Sequence, residues 1–267
     1  MSKREAPKGK NLPAKTGGVV PTFMKSRIEK DGGKGVSTAQ EDNLVPLIYV
    51  LQAQSPQVNK RNPNYIDGAE ASDIWLRNSP NPIVKGDTGI LFQPCFFNKD
   101  WIEWVSRDSG GGFVARHLEL PQDAKKIEDP KNPNRVKHVR PNGNEIVETR
   151  HHIGYAITDA GPLPYVISLS GSGHTVSRQW MFMMNGIQID GVKAPSFAKL
   201  YKLTTKERSN AAGTWFSLDV ADGGWVETDQ DYQRGLELHD AFVKGEKKAE
   251  APMAAGAGEG SDASDKL

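Results

Sequence analysis

The chain has 267 residues, 37% of them hydrophobic, and a net charge of +1, long enough to bury a core and too balanced overall for a uniformly basic nucleic-acid binder. No apolar run approaches the ~18 residues that span a bilayer, and the basic N-terminus has no apolar segment after it, which argues against a secretory signal and a membrane partner. Cys95 is the only cysteine, so an intramolecular disulfide and a cysteine-based zinc site within one chain are excluded.

Charge is distributed unevenly. Over residues 1–35, nine Lys/Arg face three acids, a net of +6; from Gly245 onward the net is −2. Residues 1–40, rich in Lys, Gly and Pro, read as a disordered basic arm, and 245–267 as a flexible, mildly acidic tail. Residues 41–244 are then the ordered part, one domain in size.

That domain reads mainly as β-structure. DIWLRN (73–78) is a short strand, and 88–106 reads as two strands turning at Asn98–Asp100. The stretch 121–144 is a Pro-rich, basic excursion carrying Lys125, Lys126, Lys131, Arg135, Lys137 and Arg140 and ending in the turn signal PNGN. RVKHV and EIVETRHHIGYAIT would flank that turn, and LPYVISLS (163–170) is the next strand. From His174, Val176, Trp180, Met183, Met184 and Ile187 recur at helical spacing, so SGSGH (170–174) reads as a strand-to-helix hinge with Ser172 or Thr175 as cap. FAKLYKLTT (197–205) and GTWFSLDV (213–220) alternate as an antiparallel pair. A closing amphipathic helix starts at the capping box Thr228–Asp231, with Tyr232, Leu236, His239 and Val243 on one face. Three strands, a helix and two strands is the order of an OB-fold, a small antiparallel barrel with its helix between the third and fourth strands.

Chemistry-bearing motifs are few. SGSGH lacks the Gly-x-Ser-x-Gly spacing of a nucleophile elbow and the Gly-Lys-Ser/Thr of a P-loop, and Ser172 and His174 are too close along the chain to act as a catalytic pair. His151 and His152 are neighbours in a strand, so they point to opposite faces and cannot share a metal. The acids Asp219, Asp222, Glu227, Asp229 and Asp231 lack the spacing of a calcium loop. The expectation is a protein without catalytic residues, metal or cofactor. Between 171 and 208, by contrast, six basic residues oppose two acids, and aromatic residues are interleaved with them. Rings that stack on bases and cations that follow phosphates make single-strand binding sites. Trp101, Trp104, Tyr201 and Trp215 are the stacking candidates; Arg178, Lys199, Lys202, Lys206 and Arg208 are the phosphate candidates. For any one ring, burial in the core is the commoner fate.

QEDNLVPLIYVLQAQSPQVNK (40–60) together with PYVISLSGSGHTVSRQWMFMMNG (164–186), followed by Trp215 in a final strand, resembles a group of bacteriophage single-stranded-DNA-binding proteins with an OB-like core. The resemblance covers roughly residues 40–243. It implies protection of single-stranded DNA during phage replication or recombination, in the cytoplasm of the bacterial host. It also implies contacts to replication or recombination proteins through an acidic C-terminal tail, although this tail ends in Asp-Lys-Leu without a terminal aromatic. Self-association into a homo-oligomer is compatible with all of this. Two other readings stand beside it: a virion or assembly protein that binds protein, and a metal-dependent enzyme of nucleic-acid metabolism built on the acids at 219–231.

Overall fold

The structure is a computed structural model and describes residues 22–31, 44–106, 109–129, 132–210 and 213–250. The chain divides into two units, Met1–Ala39 and Gln40–Leu267. In the first, a helix, α1 (Thr22–Asp31), stands within the stretch read as a disordered arm; the rest of that arm, and the tail from 251, lie outside the described residues.

The second unit is built on a curled, mixed half-barrel sheet. Its strands are β2 (Leu47–Val50), β3 (Ile74–Leu76), β4 (Ile83–Val84), β5 (Ile90–Trp104), β6 (Phe113–His117), β7 (Lys125–Asp129), β8 (Asn132–Val139), β9 (Glu145–Thr158), β10 (Gly161–Ser170), β13 (Lys199–Asn210) and β14 (Gly213–Trp225). The main path runs β14-β13-β5-β9-β10-β2-β3-β4, with β6 paired to β5, β8 to β9 and β7 to β8. Two minor pairs complete it: β1 (Leu44–Val45) lies parallel to β15 (Lys248–Ala249), and β11 (Gln188–Ile189) with β12 (Val192–Lys193) forms a two-residue hairpin over Asp190–Gly191. The sheet is not wholly antiparallel, because β2 joins β10 in parallel, with Leu47 opposite Val166. At the edge of β14, a side chain stands in for a strand. The Gln52 amide donates to Phe216 O and accepts from Phe216 N, both at 2.9 Å, as a neighbouring strand would.

Two helices cover the two faces. On one, α2 (Gly173–Asn185) buries Val176, Trp180 and Met184 against Phe92, Ala156, Tyr165, Ile167, Tyr201 and Leu203. On the other, α3 (Asp229–Val243) packs around Leu238 against Val45, Leu47, Cys95, Ile153, Val166 and Phe197. Strand alternation divides β9 between these cores: His152 and Ala156 face α2, while Ile153 and Tyr155 face α3. The hinge reading of SGSGH fits the geometry. Gly171 adopts φ +54°, where a side chain would be strained, and α2 starts two residues later; the Ser172 side chain makes no capping bond. Thr228 does cap α3, accepting from Asp231 N at 3.1 Å. Val243, placed by periodicity on the buried face, is 62% exposed, and Leu238 occupies the core instead.

Residues 88–106 depart from the expected hairpin. β5 is one strand that pairs with β9 from Leu91 to Trp104, and Asn98–Asp100 do not turn. These residues are polar because of what they meet. Asp100, wholly buried, accepts from His151 Nε2 (2.7 Å) and pairs with Arg116 (2.9 Å), while His151 Nδ1 meets Ser168 Oγ at 2.8 Å. A buried charge needs such partners, and the network joins β5, β6, β9 and β10.

A second buried carboxylate anchors the β8–β9 hairpin. Glu103 is 1% exposed and accepts from Asn144 Nδ2 (2.6 Å) and Arg140 (3.0 Å), with His117 Nε2 at 2.7 Å. Burial alone would raise its pKa, but these hydrogen bonds and the Arg140 charge hold it down at about 2. The stabilisation is therefore complete above the ordinary carboxylate value of 4.5 and is lost as pH falls toward 2. Glu103→Gln is expected to lower stability at pH 7 by about 1–3 kcal/mol, since it leaves Arg140 and His117 short of a charged acceptor. It should also flatten the acid limb of a urea-denaturation series run from pH 7 to pH 3.

Candidate nucleic-acid interface

The β13–β14 ribbon carries six of the nine predicted residues, four of them on one face. Cross-strand partners share a face, and the register places Lys202 opposite Ala221, Lys206 opposite Ser217 and Arg208 opposite Trp215. Lys202, Lys206, Arg208 and Trp215 thus line one face, with Asp219 as the acid among them. Lys206 and Arg208 are exposed and Trp215 is half-buried. Lys202 leans on the sheet, its Nζ donating to Gly89 O at 3.3 Å. Pairing of β13 with β5 ends at Leu203 and Ile90, so the ribbon from Lys206 onward projects beyond β5.

The other five residues lie off that face, Lys199 and Tyr201 on the same ribbon and three on other elements. Tyr201, expected to stack on bases, is buried instead: only 1% exposed, its ring lies 5.7 Å from Trp180 on the inner face, and burial pushes its phenol up to about 12. Lys199 is likewise turned inward at 7% exposure, bonded to Asp222 at 2.8 Å and set over the Trp225 ring at 4.6 Å. Alternation correctly put Lys199, Tyr201 and Leu203 on one face; that face is the core. Trp101 packs against His138 and Trp104 against Phe113, at the far end of β5. Nine residues separate Trp101 from Phe92, which pairs with Tyr201, a path of about 30 Å at strand rise. Arg178 is exposed on α2. In the basic excursion, Lys137 pairs with Glu145 and Arg140 with Asp123 and Glu103, which engages two of its cations within the fold; the Lys131 and Arg135 side chains lie outside the described residues.

The acids at 219–231 do not converge. Asp222 is held by Lys199, and Asp231 by Thr228 and Arg234, and hydrogen bonds from Lys199 and Thr228 respectively lower both carboxyls. Among the described residues, no three His, Cys, Asp or Glu side chains are grouped to hold a metal ion, and no helix is long and apolar enough to cross a membrane.

Sequence reasoning missed a cavity of about 570 Å³. It opens where β5 and the chain entering β13 have not yet joined, between the C-terminal end of α2 and the middle of α3. Phe96, Phe97 and Phe197 give it aromatic walls, and Met181, Met184 and Leu236 add apolar ones. Its polar lining is His152, Asn185, Lys193, Ser196, His239 and Asp240. His152 is wholly buried, stacked on Trp180 at 4.4 Å and 11°, with Nε2 at 2.9 Å from Ser177 Oγ. Burial, aided by the charges of His151 and Arg150, pushes its pKa down to about 3, so the ring is neutral near pH 7. Its Nδ1 has no partner among the described residues. Five separated segments line this space, and no local motif marks it.

No curated protein and no solved structure matches the chain. A family model described as Pam3 phage gp34-like protein matches residues 14–248, most of the length, and the chain belongs to that phage family.

Proposed function

We propose that the protein is a non-enzymatic, sequence-tolerant single-stranded-DNA-binding protein of phage replication or recombination, working in the cytoplasm of the infected cell. The outer face of the β13–β14 ribbon carries this reading: exposed Lys206 and Arg208 beside half-buried Trp215 combine phosphate-following cations with a ring on which a base stacks. The order β5, β9, β10, α2, β13, β14, with β5 pairing both β9 and β13, supports an OB-like barrel into which β2 has been inserted beside β10. Arg178 on α2 would extend the phosphate path, and the C-terminal tail would reach replication or recombination proteins. Membership in a phage family supports the setting.

Stacking on Trp215 predicts a spectroscopic result. Adding a single-stranded oligonucleotide at low salt should quench tryptophan fluorescence, and most of the quench should vanish in Trp215→Phe. Equal quenching in that variant would move the stacking surface to Trp101 or Trp104.

A second reading, a virion or assembly protein, is favoured by apolar side chains left in solvent: Leu118 at 83%, Phe182 at 81% and Val192 at 70% exposure. It predicts self-association or protein binding without affinity for DNA.

A further inference from the structure

The cavity between α2 and α3 has the size, walls and polar inventory of a small-molecule site, which commonly occupies about 300–1,000 Å³. Phe96, Phe97 and Phe197 offer ring faces and edges, and the Met181 and Met184 thioethers suit a flat aromatic guest. The polar groups are specific about hydrogen-bond direction. His239 Nδ1 lies 3.0 Å from Cys95 O. A carbonyl only accepts, so Nδ1 carries a proton, and in that tautomer Nε2 is the ring's acceptor. Asp240 adds a carboxylate acceptor. Asn185 Oδ1 is taken by Lys193 Nζ at 2.5 Å, which leaves its Nδ2 as a donor. His152 Nδ1 is a buried polar atom without a partner, the kind of atom that native proteins seldom leave unsatisfied.

We infer that this cavity binds a nucleobase bearing an exocyclic amino group, with the amino hydrogens given to His239 Nε2 and Asp240, a ring nitrogen accepting from Asn185 Nδ2, and the base plane held among Phe96, Phe97 and Phe197. The acceptor-rich lining sets the preference, since a base with an oxo group at that position brings a lone pair toward His239 and Asp240. The base can come from a free nucleotide or from a strand. The strand source rests on the function proposed above; the base preference does not.

Saturation-transfer NMR on the full chain with AMP, CMP, IMP, UMP and ribose 5-phosphate tests it. AMP and CMP should bind, IMP and UMP at least about tenfold more weakly, and ribose 5-phosphate should give no transfer. His239→Asn keeps a donor to Cys95 O and removes the Nε2 acceptor; it should erase the preference for AMP over IMP while thermal unfolding stays unchanged. Asp240→Asn, at a half-buried position, should weaken AMP in the same direction and serves if the first variant does not fold. Displacement of AMP by single-stranded oligoadenylate identifies a strand as the source, and retained AMP identifies a free nucleotide; either supports the site. Nucleotides that bind no better than ribose 5-phosphate, or AMP and IMP that bind alike, would overturn it. Lys206→Glu/Arg208→Glu separates the two claims: it should abolish strand binding on the ribbon and leave AMP binding intact.

Discussion

A Lys206→Glu/Arg208→Glu variant is expected to bind a single-stranded oligonucleotide at least about 100-fold more weakly than the native protein at low salt. Each side chain projects from the outer face of the ribbon, and each charge-assisted contact to a phosphate is worth about 1.5–3 kcal/mol. The loss of two contacts should also lower the slope of log affinity against log salt by about 1.4, because a single strand releases about 0.7 counterion per neutralised phosphate. Both residues are exposed, so the unfolding midpoint should hold within the small range of surface substitutions. Unchanged affinity and slope would remove the ribbon from the binding site.

Trp180→Ala should cost about 3–5 kcal/mol, measured by urea denaturation. Trp180 has no exposed surface, stacks on His152, and meets the Phe92 and Tyr201 rings edge-on at 5.7 Å. It is the point where α2 is fixed to β5, β9 and β13, and the substitution leaves a cavity lined by aromatic rings that cannot collapse into it. The loss is a large fraction of a total stability of about 5–15 kcal/mol. Trp180→Phe, which keeps a ring between His152 and Tyr201, should recover more than half of it.

Helix α2 and the β13–β14 pair also mark what can be read from a sequence. Trp180 was legible because Val176, Trp180 and Met184 repeat at helical spacing, and a helix carrying that stripe has to bury it. The β13–β14 pair was legible for the parallel reason, alternation over Lys199–Leu203. Alternation says which residues travel together and not which side is the inside, so Tyr201 and Lys199 were grouped correctly and assigned to solvent wrongly. The sheet settles that through Phe92 and Leu203, contacts more than a hundred residues apart in sequence.

Polar residues misled in the same way. Asn98–Asp100 have the composition of a turn, and only the partner strand, with His151 opposite Asn98, makes them a strand centre. The parallel insertion of β2 beside β10 and the seal of Gln52 on Phe216 are pairings across 119 and 164 residues that leave no local pattern. The cavity was invisible for that reason too. His152 reads as one half of a strand dipeptide until Trp180 lies flat on it and Ser177 takes its Nε2.

The proposed grip on single strands is tested by a fluorescence-anisotropy titration of the full chain with single- and double-stranded DNA of one sequence at several salt concentrations. Saturable single-strand binding that exceeds duplex binding and weakens steadily as salt rises is the expected result. Absence of single-strand binding even at low salt would contradict it and would favour a protein-binding role for the apolar side chains at Leu118, Phe182 and Val192.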